Sequence, residues 1–166
     1  ASVEEIGLVH PQTYIGTIKK IADTGGGWLD ADTVVSAASY DAAIHAARAP
    51  LTAIDLIMKG EAENAFCLVR PPGHHATPAR GMGFCLFNNA AIAARYIQFK
   101  YRLEKVFIVD WDVHHGNGTQ EIFYRDGSVL FFSTHQSPWY PGTGHHEETG
   151  EDAGLGTTLN HPLPAG

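Results

Sequence analysis

Apolar residues recur along much of the chain at the spacing of an α-helix. The pattern is helical from Pro11 to Asp23, where three consecutive glycines follow it. A longer alanine-rich segment, from about Ser39 to Lys59, ends at Gly60, a residue that suits the turn after a helix. Two more helices are predicted over about Ala90 to Tyr101, with Asn88 or Asn89 as the cap, and over Gly118 to Phe123.

Short continuous apolar runs lie between these helices. They cover residues 65–70, 106–109 and 129–133, and runs of this kind are typical of parallel strands buried on both faces. Beyond Ser133, glycine, proline and histidine dominate, which predicts a loop to the end of the chain.

Strands that alternate with helices predict an α/β fold with a parallel sheet and helices on both faces. Sites in such sheets collect beyond the carboxyl ends of the strands. The loops after residues 70, 110 and 133 all begin there, so they are the candidate functional loops. No internal repeat, low-complexity tract or linker indicates a second domain.

Composition limits the possible partners. The 166 residues are 44% hydrophobic, which is enough for the core of one domain. Eighteen acidic and eleven basic residues give a formal charge of −7, which argues against a nucleic-acid surface and is compatible with a cationic substrate.

The cysteine count and the absence of long apolar runs indicate a compartment. Cys67 and Cys85 are the two cysteines and do not resemble a disulfide framework, so a reducing environment is expected. No run approaches the roughly 18–20 apolar residues that cross a bilayer, and no signal pattern opens the chain. We therefore expect a cytoplasmic protein without a membrane partner.

The segment V-D-W-D-V-H-H-G-N-G-T, from Val109 to Thr119, directly follows an apolar strand. In extended backbone, Asp110, Asp112 and His114 point to the same side. Mixed carboxylate and imidazole donors suit a catalytic zinc ion, which takes three protein ligands and leaves one position for water. The alternative is a strand-end cap with a buried histidine.

A second cluster, R-P-P-G-H-H-A, runs from Arg70 to Ala76. Its two prolines cannot continue a central strand, and Gly73 permits a sharp turn that presents His74 and His75. Adjacent histidines on such a loop are candidates for proton transfer at neutral pH, although ordinary loop histidines remain the alternative.

Together with G-M-G-F-C-L-F-N-N-A (81–90) and Y-P-G-T-G (140–144), these clusters resemble the zinc-dependent histone deacetylase superfamily. That superfamily includes acetylpolyamine amidohydrolases and bacterial deacetylase-like amidohydrolases. The resemblance implies a three-layer α/β/α fold with a parallel sheet. Members carry a further aspartate ligand and a transition-state tyrosine downstream of the P-L-P-x-G loop, and neither has a counterpart here. We therefore expect residues 1–166 to be part of one catalytic domain, truncated at both ends.

The resemblance implies roles for four residues of the two clusters. Asp112 and His114 match zinc ligands, while His74 and His75 match the pair that holds and deprotonates the attacking water. His75 is the expected general base and later general acid.

Two further residues match the partners that orient these histidines. Asp110 is expected to orient His74 and Asn117 to orient His75. Class I deacetylases use aspartate at the position of Asn117, whereas class II and bacterial relatives resemble this chain. Without that negative charge, His75 should be less basic than in an Asp–His pair.

The same resemblance implies a substrate channel and a site for a second cation. Phe84 and Tyr140 match the aromatic walls of a narrow acyl-lysine channel, and Gly83 leaves room for the entering chain. Trp139 is the alternative to Tyr140 if the loop shifts by one residue.

An oxygen-rich site for an alkali cation such as K+ matches Asp110, Asp112, the His114 carbonyl, Ser133 and Thr134. The alternative for Ser133 is a structural role, in which its hydroxyl only forms hydrogen bonds within a turn. The segment His145 to Glu148 is interpreted as a solvated loop, and His10, His45 and His161 carry no functional signal.

The leading hypothesis is a zinc-dependent amidohydrolase that removes an acetyl group from acetyl-lysine in a protein or from an acetylpolyamine, with this chain alone inactive. A catalytically incomplete metal- or acetyl-binding module is the alternative. An arginase-like binuclear site has little support, because Gly116 stands where such sites carry another aspartate. Expected partners are the acetylated substrate and either the remainder of the domain or a second copy of the chain.

Overall fold

The computed structural model describes all 166 residues. Four of its helices agree with the predicted ones to within one residue at every end. In chain order the elements are α1 (Val3–Ile6), α2 (Gln12–Asp23), β1 (Gly26–Trp28), β2 (Val34–Ser36), α3 (Ser39–Met58), α4 (Asn89–Tyr101), β3 (Val106–Asp110), α5 (Asn117–Phe123), β4 (Val129–Gln136), a single 3-10 turn (Asp152–Gly154) and β5 (Thr158–Leu163).

Asn88 caps α4 and connects this helix to two candidate functional segments. Its side-chain oxygen accepts a hydrogen bond from the Ala91 amide at 3.0 Å, as expected of a helix cap. Its amide nitrogen donates to the Ala76 carbonyl and to the Thr119 hydroxyl, each at 3.1 Å. The cap of one helix therefore fixes both the end of the His-His loop and the start of α5.

Three parallel strands form the sheet, in the order β3-β4-β5. The register pairs Asp110 with Ser133 and Ser133 with Asn160, so the carboxyl ends of the strands are level. Helices α4 and α5 cover one face, where Ala91, Ala94, Phe123 and Val129 form a buried cluster. A larger core lies between α1, α2, α3 and α4.

The opposite face of the sheet is apolar and open. Phe107 and Val109 on β3 are 59% and 41% exposed, and Leu159 on β5 points the same way in the register. The α/β fold with a parallel sheet is thus confirmed, and the helices of this chain lie on one of its two faces.

The strand predicted over residues 65–70 is wrong. These residues form no strand and pair with no neighbour, and Phe66 is 87% exposed. An apolar run becomes a strand only when another strand accepts its hydrogen bonds, and no strand of this chain lies beside it.

The predicted loop after Ser133 is also wrong in two places. Strand β4 continues to Gln136, and β5 adds six residues that pair with it. Strand β5 contains Asn160, His161 and Pro162, so no continuous apolar run marks this segment as a strand in the sequence. Proline is tolerated because β5 is an edge strand, where a missing N–H need not break a ladder.

No helix of the chain is both long and apolar enough to span a bilayer.

Replacing Phe123 with alanine should lower the free energy of unfolding by about 3–5 kcal/mol, because the ring is fully buried between α4 and β4. Phe99→Ala is the control, since that ring on α4 is exposed and should change stability by less than about 0.5 kcal/mol. Urea denaturation of both variants measures the difference. Equal losses would contradict the placement of the core.

Candidate active site

Three segments meet at the carboxyl end of β3: the His-His loop, the chain from Asp110 to Asn117, and the loop that contains Tyr140. Asp110 joins the first two. Its Oδ2 accepts a hydrogen bond from His74 Nδ1 at 2.9 Å, and its Oδ1 accepts one from the Asp112 amide at 3.2 Å. A side chain at Gly116 would overlap the same carboxylate, so glycine is needed there.

Asp110 also changes the charge on His74. Burial alone would lower the pKa of His74, but the hydrogen bond and the charge of Asp110 outweigh it and raise that pKa. Because Nδ1 points to the carboxylate, Nε2 is the nitrogen that faces the site. A neutral His74 whose Nδ1–H donates to Asp110 has a lone pair on Nε2, and the imidazolium that the raised pKa favours has an N–H donor there instead.

His75 has the opposite electrostatic character. It is buried, and its Nδ1 lies 2.8 Å from Asn117 Oδ1. An amide oxygen only accepts, so Nδ1 carries the proton and Nε2 keeps a free lone pair. Burial, helped by the charge of neighbouring His74, lowers the pKa of His75 to about 4. At neutral pH His75 is therefore an uncharged imidazole that can accept a proton.

Asp112 and His114 lie side by side at the mouth of the same site. Asp112 Oδ1 is 3.1 Å from His114 Nδ1 and 2.8 Å from the His114 amide. Two ligands of one tetrahedral zinc lie about 3.3 Å apart when each bond is 2.0–2.1 Å, so the spacing of these two atoms fits a shared metal. His74 Nε2 is 4.0 Å from the same carboxylate oxygen.

These two side chains are the only predicted ligands that the structure brings together. The chain contains no group of three or more histidine, cysteine, aspartate and glutamate side chains arranged to hold a metal.

Aromatic and glycine residues surround the histidines. The Tyr140 ring meets His75 edge-on, with centroids 5.1 Å apart, and meets His114 in the same way at 5.9 Å. Gly83 has a positive φ of 55°, and a side chain there would overlap the His75 ring. Phe84 is exposed, and its amide donates to Thr33 Oγ1 at 3.1 Å. The Tyr140 ring and the Trp139 indole thus both lie beside the histidines, and the channel-wall role stays a prediction.

The predicted alkali-cation residues are only partly gathered. Ser133 lies beside Asp110 in the strand register, but its hydroxyl is hydrogen-bonded to His135 Nδ1 at 2.9 Å. Thr134, the next residue along β4, points its side chain to the other face of the sheet. The Thr134 side chain therefore does not lie with that of Ser133, and the cation site stays a prediction.

Sequence patterns missed a buried polar network behind His114. His115 Nδ1 lies 2.8 Å from Thr143 Oγ1, and its Nε2 lies 3.0 Å from Gln120 Oε1. Asn160 Nδ2 donates to the same Gln120 oxygen at 2.7 Å. The network connects α5, β5 and the Tyr140 loop, which are distant in sequence, so no local motif could reveal it.

Glu148 and His10 have structural roles. Glu148 accepts hydrogen bonds from the amides of Gly144 and His145, which closes the loop from His145 to Glu148. His10 is buried, accepts a hydrogen bond from the Asn88 amide at 2.9 Å, and lies 2.9 Å from the Pro78 carbonyl. Burial lowers the pKa of His10 to about 4. Neither residue faces the candidate site.

Asn117→Asp should raise the pKa of His75, because a carboxylate beside Nδ1 stabilises the imidazolium. In the native chain, His75 binds protons less readily than it does in the unfolded state. Its contribution to stability is therefore lost as pH falls from about 6.5 towards about 4. The variant should lose less stability over that window.

NMR titration of His75 and urea denaturation at pH 7, 5.5 and 4.5 measure both effects. Asn64→Asp, the same change at an exposed position outside any helix or strand, is the control and should leave the His75 titration unaltered. A lower His75 pKa in Asn117→Asp would contradict the contact.

Comparison with known proteins gives consistent matches over the whole chain. The model of the histone deacetylase domain matches residues 1–166. A probable deacetylase of Archaeoglobus fulgidus is 47% identical over 166 residues, which cover 100% of this chain and 46% of that protein. A histone deacetylase-like amidohydrolase of Pseudomonas aeruginosa is 45% identical over 100% of this chain and 44% of that protein.

A solved structure has the same fold. The crystal structure of the HDA15 HD domain superposes with a TM-score of 0.93 at 42% identity, over 97% of this chain and 46% of that one. The chain therefore spans just under half the length of the relatives that it matches.

Proposed function

The chain belongs to the histone deacetylase domain family, and on that premise we propose that it carries the proton-transfer residues and two metal ligands of a zinc-dependent deacetylase. One observation carries the proposal. Each of the paired histidines has its Nδ1 held by a different partner, Asp110 for His74 and Asn117 for His75. Both Nε2 atoms are thereby left for chemistry beside the Asp112–His114 pair.

Asp112 Oδ1 and His114 Nδ1 would hold the zinc. When bound, that ion would polarise the acetyl carbonyl and make a water molecule more acidic. Catalytic zinc takes three protein ligands, so we propose that the third is an acidic side chain from a part of the domain outside these 166 residues. The greater length of the relatives supports this part of the proposal.

His75 performs the proton transfers in this scheme. Its neutral Nε2 takes a proton from the attacking water as the new C–O bond forms. When the C–N bond of the amide breaks, Nε2 returns the proton to the leaving nitrogen, which releases acetate and an amine. Asn117 keeps the Nδ1 proton in place throughout, and His74 donates from Nε2 to an oxygen in the site.

The substrate is proposed to be acetyl-lysine in a peptide or an acetylpolyamine. Phe84 and Tyr140 would line the aliphatic stem of either one, and Gly83 would leave the passage open. The formal charge of −7 favours a cationic substrate. The alkali cation and the cytoplasmic location remain predictions from the sequence.

A metal- or acetyl-binding module without catalysis is the second candidate. It is favoured by the presence of only two predicted ligands in this chain. Turnover by the intact protein would exclude it.

His75→Ala in the intact protein should reduce turnover of an acetyl-lysine peptide by about 10²–10⁴-fold, because general acid–base groups contribute on that scale. Zinc content should stay nearly unchanged, since His75 is not a proposed ligand. Initial rates and metal analysis of the same preparation measure both.

His45→Ala is the matched control, since His45 is exposed on α3 and its ring bonds to a carbonyl of the same helix. Turnover that survives in His75→Ala would assign the base to His74. Loss of zinc would make His75 a ligand.

The open sheet face generates a further prediction. Phe107, Val109 and Leu159 together leave an apolar surface that a stable monomer would not expose. We expect residues 1–166 alone to associate, and the remainder of the domain or a second copy to cover this face. Analytical ultracentrifugation decides: a well-folded 17.9 kDa monomer with a cooperative melt would contradict the proposal.

A further inference from the structure

Trp139 immediately precedes the wall residue Tyr140 and contacts a proposed zinc ligand. Its indole Nε1 donates a hydrogen bond to His114 Nε2 at 3.2 Å. The Trp139 side chain is 57% exposed, so the ring can leave this position without opening the core. His114 is therefore held from both sides, by Asp112 at Nδ1 and by Trp139 at Nε2.

These two contacts require one tautomer of His114. An indole nitrogen can only donate, so His114 Nε2 must be the acceptor and carry no proton. The carboxylate of Asp112 can only accept, so the proton lies on Nδ1, 3.1 Å from Asp112 Oδ1. Both hydrogen bonds are satisfied by a neutral imidazole protonated at Nδ1.

Metal ligation cannot coexist with this arrangement. If the metal binds the Nδ1 lone pair of His114, the imidazole proton moves through solvent to Nε2. The Nε2–H of His114 and the indole N–H of Trp139 then face each other, and neither has an acceptor. If the metal takes Nε2 instead, it needs the place that the indole N–H occupies. The Trp139 hydrogen bond is lost in either case.

We propose that Trp139 is a positioning residue that competes with the metal for His114. Without metal, the indole fixes the imidazole beside Asp112. On metal binding, the indole swings outward, which changes the rim next to Tyr140. This inference rests on the proposed function, because it assumes that His114 is a zinc ligand.

The direct test is the indole N–H resonance of Trp139 in the ¹⁵N-labelled intact protein. The Trp139 signal is identified by its loss in Trp139→Phe. Adding one equivalent of zinc to chelator-treated protein should shift this resonance and expose the proton to faster solvent exchange. Trp28, exposed on β1, is the internal control, and its signal should not move.

Zinc affinity gives a second readout. Trp139→Phe keeps an aromatic ring but cannot donate, so the metal-free state loses one hydrogen bond. Zinc should then bind about 2- to 10-fold tighter, the range expected for one such bond. Competition with a chromogenic chelator measures the constant, and Trp28→Phe should match the native protein.

The outcomes separate the two proposals. Zinc binding with an unmoved Trp139 resonance would overturn the competition and leave the deacetylase proposal intact. Weaker zinc binding by Trp139→Phe would also overturn it, because the indole would then support the ligand. A native intact protein that binds no zinc would overturn the proposed function and this inference together.

Discussion

The Asp110 carboxylate, fixed at the carboxyl end of β3, is the contact on which the site depends. One oxygen holds His74, and the other holds the amide of Asp112 as the chain leaves the strand. The strand register places Asp110 level with Ser133, and the absence of a side chain at Gly116 gives the carboxylate its space. Two segments that are 36 residues apart therefore meet in one geometry.

The different partners of two neighbouring histidines separate their roles. His74 faces a carboxylate, and its pKa is raised although burial opposes this. His75 faces an amide, and burial lowers its pKa to about 4. Two imidazoles whose pKa values are shifted in opposite directions thus lie side by side, with ring centroids 4.0 Å apart. Such separation of pKa values between adjacent groups is typical of acid–base sites.

Local patterns predicted the parts of the fold that depend on local chemistry. Helices α2 to α5 follow from apolar spacing, and β3 and the first five residues of β4 follow from continuous apolar runs. Strand β5 was missed because its pairing with β4, not its own residues, makes it a strand. The prediction of a strand over residues 65–70 was wrong for the converse reason, because this apolar run pairs with no strand of this chain.

The candidate site also contains some contacts that local motifs predict and others that they do not. Motif spacing was enough to bring His74, His75, Asp110 and Asn117 into one prediction, and the structure places their side chains in contact. The contacts of Trp139 with His114 and of Thr143 with His115 join residues 25 and 28 positions apart. Loop conformation decides such contacts, and no residue pattern encodes them.

We propose above all that Asp112 and His114 ligate zinc. Crystals of the intact protein grown with zinc, measured on both sides of the zinc absorption edge, locate the ion. One strong anomalous peak is expected within about 2.0–2.2 Å of an Asp112 oxygen and a His114 nitrogen. A peak elsewhere, with the Asp112 and His114 side chains turned away from it, would exclude them as ligands.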